Sequence, residues 1–198
     1  HELRTPLNAI IGFSEIMKLE MFGPLGHGKY VTYSKDINES GTHLLDLVSD
    51  ILDLSRVEAG SDDLFEEQVQ VRDIAAQVLT TTKMLADKSH VQCTLDAQAD
   101  LPVLIADERK VRQILTNLVS NAIKFNVPGG TVAVQISSGA EGFYICVRDS
   151  GIGISEDDIP KALTRFVQVD GNLNRKYEGL GIGLSIVQAL TEQHGGTL

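Results

Sequence analysis

Apolar residues near the start of the chain fall at Leu3, Leu7, Ile10, (Ser14), Met17 and Met21, in steps that alternate between four and three. That is a heptad seam, and it predicts a helix from Leu3 to about Met21. Gly23-Pro24-Leu25-Gly26-His27-Gly28 then breaks the pattern and predicts a turn. A second seam follows through Tyr30, (Ser34), Ile37, (Gly41), Leu44, Val48, Ile51 and (Ser55), with Leu45 and Leu52 widening the stripe. Two long amphipathic helices joined by a short Gly/Pro loop make an antiparallel hairpin. A lone hairpin leaves a broad apolar face in water. Pairing with a second copy covers it as a dimeric four-helix bundle; packing on the rest of the same chain is the alternative. The seam persists on both helices, which favours the homodimer.

The pattern changes at Val57-Glu58-Ala59-Gly60-Ser61-Asp62-Asp63, which has no apolar period beyond Val57 and reads as a linker. It divides the chain into domains at 1–59 and 60–198. Beyond it, Leu64 to Val71 is an expected strand, Asp73 to about Lys88 a helix, and Val91–Leu95 and Val103–Ala106 short strands. Asp107 is placed to cap a helix that runs to about Phe125. Thr131–Ser137 and Phe143–Arg148 alternate as hairpin strands, and a last helix spans about Ile182 to His194. The expected fold is α+β: an N-terminal helical hairpin, then an α/β sandwich with helices on one face of a mixed sheet.

Charge narrows the function. The 198 residues include 27 acidic and 17 basic ones, a net charge of −10. That balance disfavours nucleic-acid binding, which relies on clustered Lys and Arg, but leaves room for a small anion held by backbone amides. No apolar run approaches the roughly 18 residues that span a bilayer, so no membrane contact is expected. Cys93 and Cys146 lack metal-ligand spacing and sit in strand-like stretches. Both are expected as buried thiols in a reducing, cytoplasmic setting. The abrupt start at His1-Glu2 and the stop after Gly195-Gly196-Thr197-Leu198 suggest a fragment, whose parent could carry an anchor upstream.

Four groups of residues suggest chemistry. His1, in His1-Glu2-Leu3-Arg4-Thr5-Pro6, lies roughly 200° around the helix from Leu3, at about 100° per residue. An outward imidazole beside a carboxylate suits a nucleophile: the acid takes one ring proton while the other nitrogen attacks. A solvated surface histidine is the plain alternative. The zinc-protease pattern H-E-x-x-H fails at Thr5. Spacings of four and three put Asn117, Asn121 and Lys124 on one helical face. Asn is a poor mid-helix residue. An amide oxygen can ligate Mg2+, and a lysine can meet phosphate. A polar solvent face is the alternative reading.

Asp149-Ser150-Gly151-Ile152-Gly153 closes an apolar strand. Its carboxylate can accept from the exocyclic amine of adenine, and the glycines let backbone approach a flat ring; a glycine-rich turn is the alternative. Gly179-Leu180-Gly181-Ile182-Gly183 opens the last helix and offers free amides to polyphosphate. The polar stretch before it and its G-x-G-x-G spacing exclude a dinucleotide fold, which needs a preceding strand and G-x-G-x-x-G. The segment from about Leu163 to Glu178 reads as a lid carrying Arg165, Arg175 and Lys176 toward phosphate.

In this order the groups resemble a sensor histidine kinase of a two-component system. His1 to Ile10 looks like its phosphoacceptor box, Asn117 to Phe125 the N box, Asp149 to Ile154 the G1 box, Phe166 to Asp170 the F box and Gly179 to Leu184 the G2 box. The Gly23 to Gly28 loop and Asn172 to Glu178 look most like the PAS-linked kinases of alphaproteobacteria. The resemblance implies a dimerisation and phosphotransfer hairpin followed by a Bergerat-type ATP-binding domain. It implies His1 as acceptor and Glu2 as its base. Asn121 would hold Mg2+, Asn117 and Lys124 would lie beside the phosphates, and Asp149 would select adenine. Glu2 and Thr5 would also support dephosphorylation of a partner response regulator. Leu180 stands where the family usually has Thr, and Ile182 where it has Leu, so weakened but retained nucleotide binding is expected. A nucleotide-binding pseudokinase that docks a regulator is the runner-up, and a gyrase-like ATPase ranks below it.

Overall fold

In the N-terminal hairpin the two seams form the expected helices, α1 (Arg4–Lys18) and α2 (Gly28–Glu58). The computed structural model describes residues 4–58, 63–140, 142–165, 167 and 181–198. They belong to two compact units, His1–Ser55 and Arg56–Leu198, so α2 runs past the boundary of the first. The first helix stops short of the expected Met21. Leu19 to Phe22 are turn, and Glu20 takes a left-handed φ of 49°, a conformation that ends a right-handed helix. Gly23 and Gly26 follow at φ of 111° and 79°, which is why glycine recurs in this loop.

Each seam splits between two environments. Leu7, Ser14, Ser34, Asn38 and Gly41 are buried between the two helices. Ile10, Met17, Ile37, Leu44 and Ile51 are exposed. Steps of three and four land alternately on either side of a line, so one half of a heptad seam can face the partner helix while the other faces away. Apart from Leu7, the buried half is polar or small. Asn38 Nδ2 donates to the Ile11 carbonyl (3.1 Å) and to Ser14 Oγ (3.3 Å), and Ser14 Oγ donates to the same carbonyl (2.8 Å). A Cβ at Gly41 would stand 3.0 Å from Ile11 Cγ1, so glycine sets how closely the helices approach.

The second unit runs β1 (Glu67–Val69), α3 (Val71–Ser89), β2 (Gln92–Ala97), β3 (Leu104–Ala106), α4 (Glu108–Lys124), β4 (Thr131–Gly139), β5 (Gly142–Asp149), α5 (Ile159–Leu163) and α6 (Gly183–Gln193). Strands β1 and β3 pair antiparallel. A second sheet has the order β2-β4-β5, with β2 parallel to β4 and β4 antiparallel to β5. Val132, Val134 and Ile136 line its covered face, with Phe143, Ile145 and Val147 beside them. Helices α3 and α4 cover that face with Ile74, Val78, Val111, Leu115, Val119 and Ile123. Helices on one side of a mixed sheet are the expected sandwich. Helix α6 lies antiparallel along α4. At one end the Asp107 amide donates to His194 Nε2 (3.2 Å) and Lys110 Nζ to Gln193 Oε1 (2.9 Å). At the other end Gly183 faces Asn121.

Three expectations need correction. The strand expected over Leu64–Val71 is only Glu67–Val69, because Gln70 leaves the extended region and Val71 opens α3 two residues before Asp73. Cys146 is exposed rather than buried, since strand parity sends Phe143, Ile145 and Val147 inward and Tyr144, Cys146 and Arg148 outward. Cys93 is half-buried; burial, and then the charge of Asp87, push its thiol pKa up.

Candidate functional site

Helix α4 carries the centre of the site, and its start is fixed by one carboxylate. Asp107 Oδ1 accepts from the amides of Arg109 (3.0 Å) and Lys110 (3.3 Å), and Oδ2 accepts from the Phe65 amide (3.2 Å). Burial alone would raise the Asp107 pKa, but the Phe65 and Lys110 amides and the Arg109 guanidinium outweigh it and hold it below the usual range. The cap anchors the N-terminal end of the helix that presents Asn117, Asn121 and Lys124.

All three of those side chains are half-buried on one face of α4. Asn117 Nδ2 is buried and has no hydrogen-bond partner among the described residues. An orphaned buried donor is rare in folded proteins and calls for a cause such as an absent ligand. Asn121 lies against the start of α6, where a Cβ at Gly183 would come within 3.3 Å of Asn121 Nδ2. Helix α6 begins at Gly183 without a side-chain cap, so its first amides and positive dipole end lie beside the asparagine face. Lys124 Nζ stands 5.3 Å from the centroid of the Phe125 ring.

The loop after β5 is locked to the other end of α4. Asp149 is exposed, and its Oδ1 accepts from the Gly151 amide (2.8 Å). The Ile152 amide donates to the Phe125 carbonyl (3.1 Å). A Cβ at Gly151 would collide with that carbonyl and stand 2.8 Å from Asp149 Oδ1, so the turn closes only around glycine. Gly153 adopts φ of 69°. Gly181 adopts φ of 67°, and a Cβ there would run into the backbone of Val167.

The structure therefore brings Asn117, Asn121, Lys124, Asp149, Gly151, Gly153, Gly181 and Gly183 onto three adjoining elements of one unit. Thr5 is exposed on α1, in the other unit. His1, Glu2, Arg175, Lys176 and Gly179 lie outside the described residues, as do most of the lid expected from about Leu163 to Glu178 and most of the expected F box. Sequence reasoning missed Asn126 and Ser150, which join the end of α4 to the Asp149 loop. The only signal was a second short polar side chain directly after the helix, hidden among turn formers.

The donor set fits a hard cation carried by a polyphosphate. Among the described residues no three His, Cys, Asp or Glu side chains form a metal cage. Mg2+ commonly takes one or two protein oxygens and completes its shell with phosphate and water, which the Asn121 amide oxygen can serve. The site as built can hold an anion at α6, a cation at α4 and a hydrogen-bonding ring at Asp149. No helix among the described residues is long and apolar enough to cross a membrane.

Comparison with known proteins agrees with this geometry. The family model described as histidine kinase-, DNA gyrase B- and HSP90-like ATPase matches residues 106–198. The His Kinase A (phospho-acceptor) domain model matches residues 1–60. The cell-division control histidine kinase PdhS of Brucella suis is 42% identical over 97% of this chain and 19% of its own length. The non-motile and phage-resistance protein of Caulobacter vibrioides is 43% identical over 100% of this chain and 24% of its own. The chain thus spans about a fifth to a quarter of these relatives. The crystal structure of full-length ShkA in complex with AMPPNP superposes with a TM-score of 0.81 at 32% identity, covering 98% of this chain and 40% of ShkA. With the phosphoacceptor model on its hairpin and the ATPase model on its sandwich, the chain belongs to the sensor histidine kinases.

Proposed function

We propose that the chain uses ATP to phosphorylate itself on His1 and passes the phosphoryl group to an aspartate on the receiver domain of a response regulator. The observation that carries this reading is the buried amide of Asn117, without a hydrogen-bond partner among the described residues, one turn from Asn121, against which the start of α6 lies. Residues 1–59 serve as the dimerisation and phosphotransfer domain and 60–198 as the ATP-binding domain, acting as a homodimer in the cytoplasm.

In this reading Asp149 accepts from the adenine amine, while Gly151 and Gly153 let the ring lie against backbone. The amides at Gly179, Gly181 and Gly183 receive the phosphates, with Asn117, Lys124, Arg175 and Lys176 around them. Asn121 would hold Mg2+, which when bound neutralises charge on the phosphates. One imidazole nitrogen of His1 attacks the γ-phosphorus in line. A P–N bond forms, the bond to the β,γ-bridging oxygen breaks, and ADP leaves with that electron pair. Glu2 takes the proton of the other ring nitrogen. Glu2 and Thr5 also support hydrolysis of the phosphorylated regulator.

The pseudokinase alternative shares the nucleotide site but not the transfer to His1, so one experiment separates them. Incubation with γ-phosphate-labelled ATP and Mg2+ should give acid-labile, base-stable label on the protein. His1→Gln should abolish it and leave nucleotide binding intact. Nucleotide binding without label in the unsubstituted chain would favour the pseudokinase, and label that survives His1→Gln would refute the acceptor.

A further inference from the structure

Asn126 is the second residue past α4, and its side chain is buried and saturated. Nδ2 donates to the carbonyls of Ala122 (3.1 Å) and Thr131 (3.0 Å). Oδ1 accepts from the Val127 amide (2.9 Å) and from Ser150 Oγ (3.2 Å). Ser150 Oγ also accepts from the Thr131 amide (2.8 Å), and the Ser150 amide donates to the Thr131 carbonyl (3.1 Å). One side chain thus ties together the end of α4, the first residue of β4 and the residue that follows Asp149. A Cβ at Gly130 would strike Asn126 Oδ1 and stand 2.7 Å from Ser150 Oγ, so the knot closes only with glycine there.

Two kinds of link therefore couple the Asp149 loop to the helix that bears Asn117 and Asn121. One is the backbone bond from Ile152 to Phe125. The other is the Asn126–Ser150 side-chain bridge. Both partners of that bridge sit outside the proposed contacts to nucleotide. We propose that Asn126 and Ser150 are positioning residues that fix the Asp149 carboxylate relative to the asparagine face of α4 and so set the preference for adenine over other purines. The inference rests on the nucleotide site proposed above. Its physical basis is reach. A carboxylate reads an exocyclic amine only within a narrow range of hydrogen-bond lengths and angles; the ladder holds the Asp149 backbone opposite Val132, and the bridge is the side-chain link that ties the next residue to the end of α4.

The test is displacement of a fluorescent ADP analogue by ADP and by IDP, whose hypoxanthine carries a carbonyl oxygen where adenine carries the amine. Ser150→Ala removes the bridge at an exposed position and should leave the fold intact, checked by its melting curve. The ADP preference should fall about three- to tenfold, the range of one net hydrogen bond, through weaker ADP with IDP unchanged. Ser150→Thr keeps the hydroxyl and should restore most of the preference. Amide hydrogens of Gly151 and Ile152 should exchange faster in Ser150→Ala alone. Equal weakening of ADP and IDP, or no change in either, overturns the positioning role. Asp149→Asn separates the two claims: if it leaves the preference intact, the nucleotide reading itself fails. If it flattens the preference while Ser150→Ala does not, only the positioning role fails.

Discussion

In the proposed site, Asn117 sets a stability cost against nucleotide binding. A buried amide nitrogen without a partner costs on the order of 1–3 kcal/mol, and Asn117 Nδ2 is such an atom among the described residues. Replacing the side chain by an apolar one of similar size removes the unpaired donor and fills the same space. Asn117→Leu is therefore expected to raise the nucleotide-free stability of the chain by about 1 kcal/mol, read as a higher urea midpoint at unchanged slope. It should also abolish Mg2+-dependent nucleotide uptake in calorimetry. A destabilised variant that still binds would show that the amide is satisfied and unused. Asn117 and Asn121 were legible in the sequence because a mid-helix asparagine works against helix propensity, and two of them a turn apart share a face. Asn126 was not legible. It falls next to Val127-Pro128-Gly129-Gly130, where asparagine is ordinary turn chemistry, and only the fold brings Ser150 to it across 24 residues.

At the scale of elements, α4 depends on its cap. Asp107 is almost wholly buried and accepts from three backbone amides, two of them in its own helix and one from Phe65. Asp107→Ala should cost about 1–2 kcal/mol of stability near neutral pH. The depressed pKa of Asp107 fixes the sign of the pH dependence. A carboxylate whose folded pKa lies below its unfolded value, about 3.9, stabilises the fold above that value and loses the contribution as pH falls through the folded pKa. The gap between the parent chain and Asp107→Ala should therefore be full at pH 6 and narrow below about pH 4, as measured by urea unfolding across that range. A gap that widens in acid would contradict the assignment. The cap was readable because Asp precedes a strong amphipathic period. The limits of β1 and α1 were not, because apolar alternation across Leu64 to Val71 does not reveal that Val71 turns inward as the first residue of α3. Likewise Met21 kept the seam's spacing, while Glu20 had already left the helix. Cys146 shows the opposite case: strand parity alone puts it beside Tyr144 and Arg148 on the open face, and composition pointed the wrong way.

At the scale of the whole molecule, the proposed homodimer rests on the hairpin. Its internal seam is mostly small and polar among the described residues, with Ser14, Ser34, Asn38 and Gly41 beside Leu7 between the helices. Its larger apolar side chains, Ile10, Phe13, Met17, Ile37, Leu44 and Ile51, remain exposed. An exposed apolar stripe of this size fits an external interface, as the proposed homodimer requires. In the proposed homodimer a second copy would supply the same stripe, and two-fold pairing would make each residue count twice in the interface. Ile37→Lys with Leu44→Lys therefore places four lysines in the paired seam, and each must keep its ammonium hydrated or pay for burial. The double variant is expected to sediment as a monomer where the parent chain sediments as a dimer. Nucleotide binding should persist, because neither residue belongs to the core of the second unit. A parent chain that is already monomeric would mean the stripe is covered by something other than a second copy. A dimer that survives both lysines would place the contact elsewhere on the molecule.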